Sequence, residues 1–285
     1  MTAMIEAKGL SKRYKNKQAL DNVNFTVNEG RIVGLIGRNG AGKTTALKSV
    51  LGLTSFDGSL TVLGRDPSRE REQMLQSVSF IADVAVLPKW LKVRNAIDYV
   101  EGVHPAFQRE RAEQFLAKTD IRMDSKVREL SKGMVTQLHL ALVLAIRAKL
   151  LVLDEPTLGL DLLVRRSFYD TLLNDYMDEG RTILVTTHQV EEIEHILTDV
   201  LFIEQGHIVL DSSIDELGNR FTQVWVRPEQ LATARAMRPF HERSLLGRTV
   251  LFFDGVPRES LAQLGEVGTP GVADLFVARM LKEVA

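Results

Sequence analysis

Ile32-Val33-Gly34-Leu35-Ile36-Gly37-Arg38-Asn39-Gly40-Ala41-Gly42-Lys43-Thr44-Thr45 carries a short apolar run into a glycine-rich turn that closes on Lys-Thr-Thr. From Gly37 to Thr44 it satisfies G-x-x-x-x-G-K-[ST], and the residues that follow, to about Leu53, read as a helix. Strand, glycine turn and helix start in that order are what polyphosphate binding requires. Gly37, Gly40 and Gly42 let the backbone wrap an anion with its N–H groups, with Asn39, Ala41 and Thr45 in the same loop, and the helix offers its positive N-terminal end to the same charge. Lys43 is expected to reach the β- and γ-phosphates and Thr44 to ligate Mg²⁺.

Moving outward, short apolar runs recur at Arg31 to Ile36, Val78 to Ile81, Leu150 to Leu153, Thr182 to Val185 and Val200 to Ile203, alternating with longer helical patterns. Such near-continuous runs suit strands of a parallel sheet covered on both faces, so the fold class is α/β. Leu162 to Met177 reads as the helix of a βαβ unit that Gly180 stops. Lys92 to Thr119 is helical and strand-free, broken at Val103-His104-Pro105, and reads as a helical insertion. After Gly218 the pattern changes to two strand-like runs, Gln223 to Val226 and Thr249 to Phe253, and a final amphipathic helix from Val272 to Lys282. This predicts a small α+β domain over 218–285 behind a main domain over 1–217, with the final helix packing on the tail's own strands.

Two strand ends carry chemistry. Leu150-Leu151-Val152-Leu153-Asp154-Glu155 delivers two acids at the C-terminal end of a buried strand, where open parallel sheets bind ligands. Asp154 suits the Mg²⁺ shell, and Glu155 is placed to orient or deprotonate an attacking water. His188 ends the run Thr182 to Thr187, where an imidazole can sense a terminal phosphate.

The chain's 285 residues, 45% hydrophobic and 26% charged, are globular in composition. With 36 basic and 37 acidic residues the net charge is −1, which lacks the cation excess of an undirected nucleic-acid binder. There is no cysteine, which excludes disulfides, thiolate metal sites and cysteine nucleophiles. No apolar run approaches the ~20 residues that span a bilayer, and the first residues, Met1-Thr2-Ala3-Met4-Ile5-Glu6, show no secretory pattern. The expectation is a cytoplasmic location.

Leu130-Ser131-Lys132-Gly133-Met134, which opens an apolar helix, resembles the Leu-Ser-Gly-Gly-Gln signature loop of ATP-binding cassette (ABC) ATPases. The other motifs follow in that family's order. Tyr14 resembles the aromatic that stacks on adenine, Gly159-Leu160-Asp161 the D-loop, and His188 the switch histidine. The resemblance covers about residues 4–215. It implies a P-loop NTPase cassette with a RecA-like core, an antiparallel β subdomain and a helical subdomain at about 92–147. It also implies ATP and Mg²⁺, with Glu155, His188 and Lys43 catalytic, and Tyr14, Ser131, Gly133 and Asp161 as further nucleotide contacts. The family's Q-loop glutamine, a Mg²⁺ contact, falls at Asp83, a shorter and anionic side chain, and Lys132 and Met134 replace signature residues. One set of motifs implies a homodimer, or a heterodimer with another cassette, driving a separately encoded transmembrane permease from the inner face of the membrane. The Leu-Ser-Lys-Gly-Met form resembles bacterial drug and peptide exporters. Val84 to Leu91 is expected to help receive the permease. The alternatives are a soluble ABC ATPase not coupled to transport and a nucleotide-sensing module.

Overall fold

A computed structural model describes residues 2–81, 87–158, 160–176, 180–245 and 247–280. In chain order the strands are β1 (Ala3–Tyr14), β2 (Lys17–Asn28), β3 (Ile32–Ile36), β4 (Asp57–Val62), β5 (Val78–Ile81), β6 (Leu150–Asp154), β7 (Thr182–Thr187), β8 (Asp199–Glu204), β9 (His207–Ser213), β10 (Phe221–Val226), β11 (His241–Leu245), β12 (Arg248–Asp254) and β13 (Gly265–Gly268). The helices are α1 (Lys43–Val50), α2 (Arg71–Leu75), α3 (Val93–Val103), α4 (Arg109–Leu116), α5 (Lys132–Leu144), α6 (Leu162–Thr171), α7 (Val190–Ile193), α8 (Ile214–Arg220), α9 (Leu231–Ala236), α10 (Arg258–Ala262) and α11 (Val272–Met280).

The central sheet has the order β5-β6-β7-β3-β8-β9, parallel except for its edge strand β9. Strands β3, β6 and β7 are buried at every residue, as their unbroken apolar runs require. One face of this sheet packs with α1 against the antiparallel sheet β2-β1-β4, around Leu10, Leu20, Leu35 and Leu47. The other face is covered by α5, α6 and α7, through Leu140, Phe168 and Ile193. Helices α3, α4 and α5 form a satellite core around Ile97, Leu116 and Leu138.

Every expected central strand is present. Helix α6 starts at Leu162 as expected but loosens at Thr171 into a π-helical turn over Leu172–Tyr176, and Met177 lies outside the described residues. Gly180 stands at φ +67°, the left-handed region that favours glycine.

The tail departs from expectation in two ways. Its sheet has four strands, β11-β12-β10-β13, where the sequence pattern marks two. Helix α11 packs not only on that sheet but on the main core: Val272, Leu275 and Met280 join Val190, Ile193 and Phe202, and the Phe276 ring meets Phe202 edge-on at 5.3 Å. The physical reason is that the β8 side of the central sheet presents an apolar face, and the apolar stripe of α11 covers it. Glu194, just past α7, accepts the Ala273 N–H at 3.2 Å and so ties the start of α11 to the main body. Gly218 lies inside α8, the helix that joins β9 to β10.

Candidate nucleotide site

The glycine-rich turn leaves β3 at Ile36 and enters α1 at Lys43, with Gly40 and Gly42 at φ +84° and +118°. A Cβ on Gly42 would sit 2.6 Å from the Ala19 carbonyl oxygen, and one on Gly37 would sit 2.5 Å from that of Ile203. Both positions exclude side chains, and so the loop can close around a ligand with backbone N–H groups alone.

Lys43 is buried, its side chain curled back over the loop. Its Nζ donates to the Gly37 carbonyl at 2.6 Å and lies 3.3 Å from Glu155 Oε1. The other carboxylate oxygen of Glu155 is 2.9 Å from His188 Nδ1. Ammonium, carboxylate and imidazole therefore form one line of contacts, with Glu155 between the other two, at the ends of three neighbouring strands. Glu155 has φ +46°, unusual for a non-glycine residue, and its N–H is held by the Thr186 carbonyl and hydroxyl, each at 3.2 Å. That turn lifts the Glu155 side chain off the strand end and toward Lys43.

Asp154, also buried, accepts a hydrogen bond from the Thr186 hydroxyl at 2.6 Å and a longer one from Thr44 Oγ1 at 3.5 Å. A hydroxyl and one carboxylate are hard oxygen donors that fit Mg²⁺, which commonly takes one or two protein oxygens and fills its shell with waters and substrate phosphates. Among the described residues there is no cluster of three or more acidic or histidine side chains that could hold a metal without a substrate.

A cleft of about 260 Å³ opens over the loop, lined by Tyr14, Asn39, Gly40, Gly42, Lys43, Thr44, Thr45 and Glu155. Tyr14 is 43% exposed at the rim, with Lys12 Nζ 5.0 Å from its ring centre, so its ring can stack on a flat base. Of the other expected loop residues, Gly37 supplies the carbonyl that holds Lys43, and Ala41 is buried below with its N–H on the Arg38 carbonyl. Ser131 caps α5, its hydroxyl accepting the Met134 N–H at 3.2 Å, and a Cβ on Gly133 would meet only that hydroxyl, at 4.0 Å. Asp161 caps α6 by accepting the Val164 N–H at 3.0 Å. Ser131, Gly133 and Asp161 do not line the cleft. Asp83, Gly159 and residues 84–86 lie outside the described residues.

Four residues of the site escape the sequence reading. Lys17, Ala19 and Arg38 also line the cleft, and Thr186 orients both Asp154 and Glu155. The signal for Thr186 is its register opposite Asp154 in the parallel sheet, which a linear reading does not supply.

Fold and cleft together define a P-loop nucleotide-binding cassette. The family profile described as ABC transporter matches residues 20–158. The Nod factor export ATP-binding protein I of Burkholderia thailandensis is 35% identical over 263 residues, which cover 88% of this chain and 85% of that protein. The ABC transporter ATP-binding protein YtrB of Bacillus subtilis is 28% identical over 78% of this chain and 76% of its own length. A solved ATP-binding subunit of an ABC transporter superposes with TM-score 0.69 at 26% identity, covering 76% of this chain and 92% of that one. The chain belongs to the ABC transporter ATP-binding proteins, and it is the ATP-binding, ATP-hydrolysing subunit of an ABC transporter.

Proposed function

We propose that this cassette closes with a second copy, or with another ABC cassette, over two ATP molecules and thereby drives a separately encoded transmembrane permease in export. The observation that carries the catalytic half is the line Lys43, Glu155, His188, with contacts of 3.3 and 2.9 Å at the end of the central sheet. ATP binding draws Lys43 from Glu155 onto the β- and γ-phosphates, because two phosphates outcompete one carboxylate for the ammonium. Glu155, released, orients or deprotonates the attacking water, while His188 holds its second oxygen and reads the γ-phosphate. Thr44 and Asp154 hold Mg²⁺, which supplies charge neutralisation on the phosphate oxygens. Tyr14 stacks on adenine. Ser131, Gly133 and Asp161 serve the facing cassette's nucleotide, in keeping with their absence from their own cleft and the open space at Gly133.

Export is supported by the 35% identity to the Nod factor export protein. No helix among the described residues is long and apolar enough to cross a membrane, so we assign the chain a peripheral place on the inner face, held by the permease. Trp90, just before the helical insertion, and Tyr99 and Val103 on α3 are 71%, 68% and 60% exposed, and we assign them to the permease-docking surface. Trp90→Ala is expected to weaken co-purification with the permease while leaving ATP binding intact; unchanged co-purification removes Trp90 from the contact. Residues 1–217 are assigned to the cassette and 218–285 to an accessory domain.

The test is phosphate release and ATP-dependent mass for the purified chain and its Glu155→Gln variant. The wild type is expected to hydrolyse ATP, and the variant to lose about a hundredfold or more in turnover and accumulate as an ATP-bound dimer. Undiminished turnover in Glu155→Gln overturns the role of Glu155. If both proteins bind ATP but stay monomeric without turnover, the site needs either a different cassette or the permease to complete it.

A further inference from the structure

Behind the line of Lys43, Glu155 and His188 lies a second polar cluster that touches no part of the nucleotide cleft. Arg165, one turn into α6, is 21% exposed at its side chain and holds two segments at once. Its Nε donates to the Leu160 carbonyl at 2.7 Å, just before Asp161, and its NH1 pairs with Glu192 Oε1. Glu192 sits on α7, four residues after His188, and its other oxygen accepts from the Thr157 hydroxyl at 3.5 Å. Thr157, two residues after Glu155, is buried and shares a hydrogen bond of 3.1 Å with the Tyr169 hydroxyl. Tyr169, on α6, is 3% exposed, and burial pushes its hydroxyl pKa above the usual tyrosine range, so it stays a neutral hydrogen-bonding group.

The cluster thus ties together the segment that follows Glu155 and the segment that follows His188. Those two residues touch each other at 2.9 Å just past the sheet pairing, which ends at Asp154 on β6 and Thr187 on β7; Thr186 holds the Glu155 N–H, but the ladder fixes neither side chain. Glu155 in addition occupies a left-handed backbone conformation that its surroundings must impose. We propose that Arg165 and Glu192 are positioning residues for hydrolysis, clamping the segments after Glu155 and His188 so that carboxylate and imidazole meet in register for the attacking water.

The clamp needs arginine chemistry. One planar guanidinium serves a backbone carbonyl and a carboxylate on different segments, whereas an ammonium on a flexible stem offers a single point charge. It also predicts where the kinetic effect falls. The residues that bind ATP, Tyr14 and the Gly37 to Thr45 loop, are carried by β1, β3 and α1, outside the cluster. Loss of the clamp therefore lowers kcat and spares KM for ATP.

The proposal rests on the assignment of Glu155 and His188 to hydrolysis, and the test separates the two. Steady-state ATP hydrolysis is measured on the full chain for Arg165→Ala, Arg165→Lys, Glu192→Ala, Glu192→Gln, the Arg165→Ala/Glu192→Ala double variant and Glu155→Gln, each checked for folding by thermal melting. We expect Arg165→Ala to lower kcat about tenfold or more with KM within about twofold of wild type, since small misplacements of reacting groups have effects of that order. Arg165→Lys should fail to restore it, and Glu192→Gln, nearly isosteric, carries the test should Arg165→Ala not fold. The double variant should be no slower than the slower single variant, because the two residues act through one linkage. The proposal is overturned if Arg165→Ala and Glu192→Gln melt lower yet keep kcat within about twofold of wild type, or if the two alanine effects multiply. If Glu155→Gln retains turnover, the underlying assignment fails, whatever the Arg165 variants do.

Discussion

Glycine at position 42 shows how strictly single residues are specified. It stands at φ +118°, and an added Cβ would meet the Ala19 carbonyl oxygen at 2.6 Å and the Leu20 side chain at 3.1 Å. Gly42→Ala must therefore shift either β2 or the loop itself. The expected outcome is a stability loss of about 2 kcal/mol from backbone strain and a loss of ATP binding, read by thermal melting and by nucleotide titration. Wild-type affinity in this variant would show that the loop relaxes without moving its N–H groups. At this scale the sequence is most legible, because the loop, Asp154, Glu155 and His188 each announce themselves within a few adjacent residues. Thr186, Arg165 and Glu192 do not. Their roles depend on which strand lies beside which and on where a helix turn faces, and neither threonine nor a lone charged residue on a helix carries a local mark of that.

Helices and strands divide in the same way. Caps are written locally: Ser131 and Asp161 start α5 and α6 by accepting N–H groups three residues on. Ser213 starts α8 in a reciprocal capping box, its hydroxyl accepting the Glu216 N–H at 3.2 Å while Glu216 accepts the Ser213 N–H at 3.1 Å. That box lies away from the cleft, so Ser213→Ala should lower stability by about 1 kcal/mol in urea unfolding and leave ATP turnover unchanged. A change in turnover would place α8 in the catalytic machinery. Strands β11 and β13 are the opposite case. His241 to Leu245 is largely exposed and Gly265 to Gly268 is half glycine, so neither has an apolar alternation of its own. Each exists because β12 or β10 offers it a ladder, with five paired positions in the one case and four in the other.

For the whole molecule, the question is whether the tail unfolds by itself. Its sheet has a private core around Val224, Leu251, Phe253 and Leu261, which favours independence. Helix α11 argues the other way, since Val272, Leu275 and Met280 are buried with Val190, Ile193 and Phe202 of the main body, and Glu194 fixes its first turn. The same helix is tied to the tail by Arg279, which pairs with Asp254 at 2.7 Å, and by Asp274, which pairs with Arg243 at 2.9 Å. The Arg243–Asp274 pair is exposed and contributes little, and the partly buried Arg279–Asp254 pair holds α11 only to the tail, so the apolar contacts decide how α11 holds the main body. Leu275, 1% exposed, bridges the two bodies, and Leu275→Ala should cost about 3 kcal/mol. In urea, far-ultraviolet circular dichroism reports the whole backbone, and Trp225 fluorescence in a Trp90→Phe background reports the tail. Coincident transitions are expected for the intact chain, because separating the tail exposes the β8 face of the central core. In Leu275→Ala the transitions should separate, the tail unfolding first. Separate transitions already in the intact chain would show that α11 does not bind strongly enough to make the two bodies one cooperative unit, and that the tail's own core suffices to hold it.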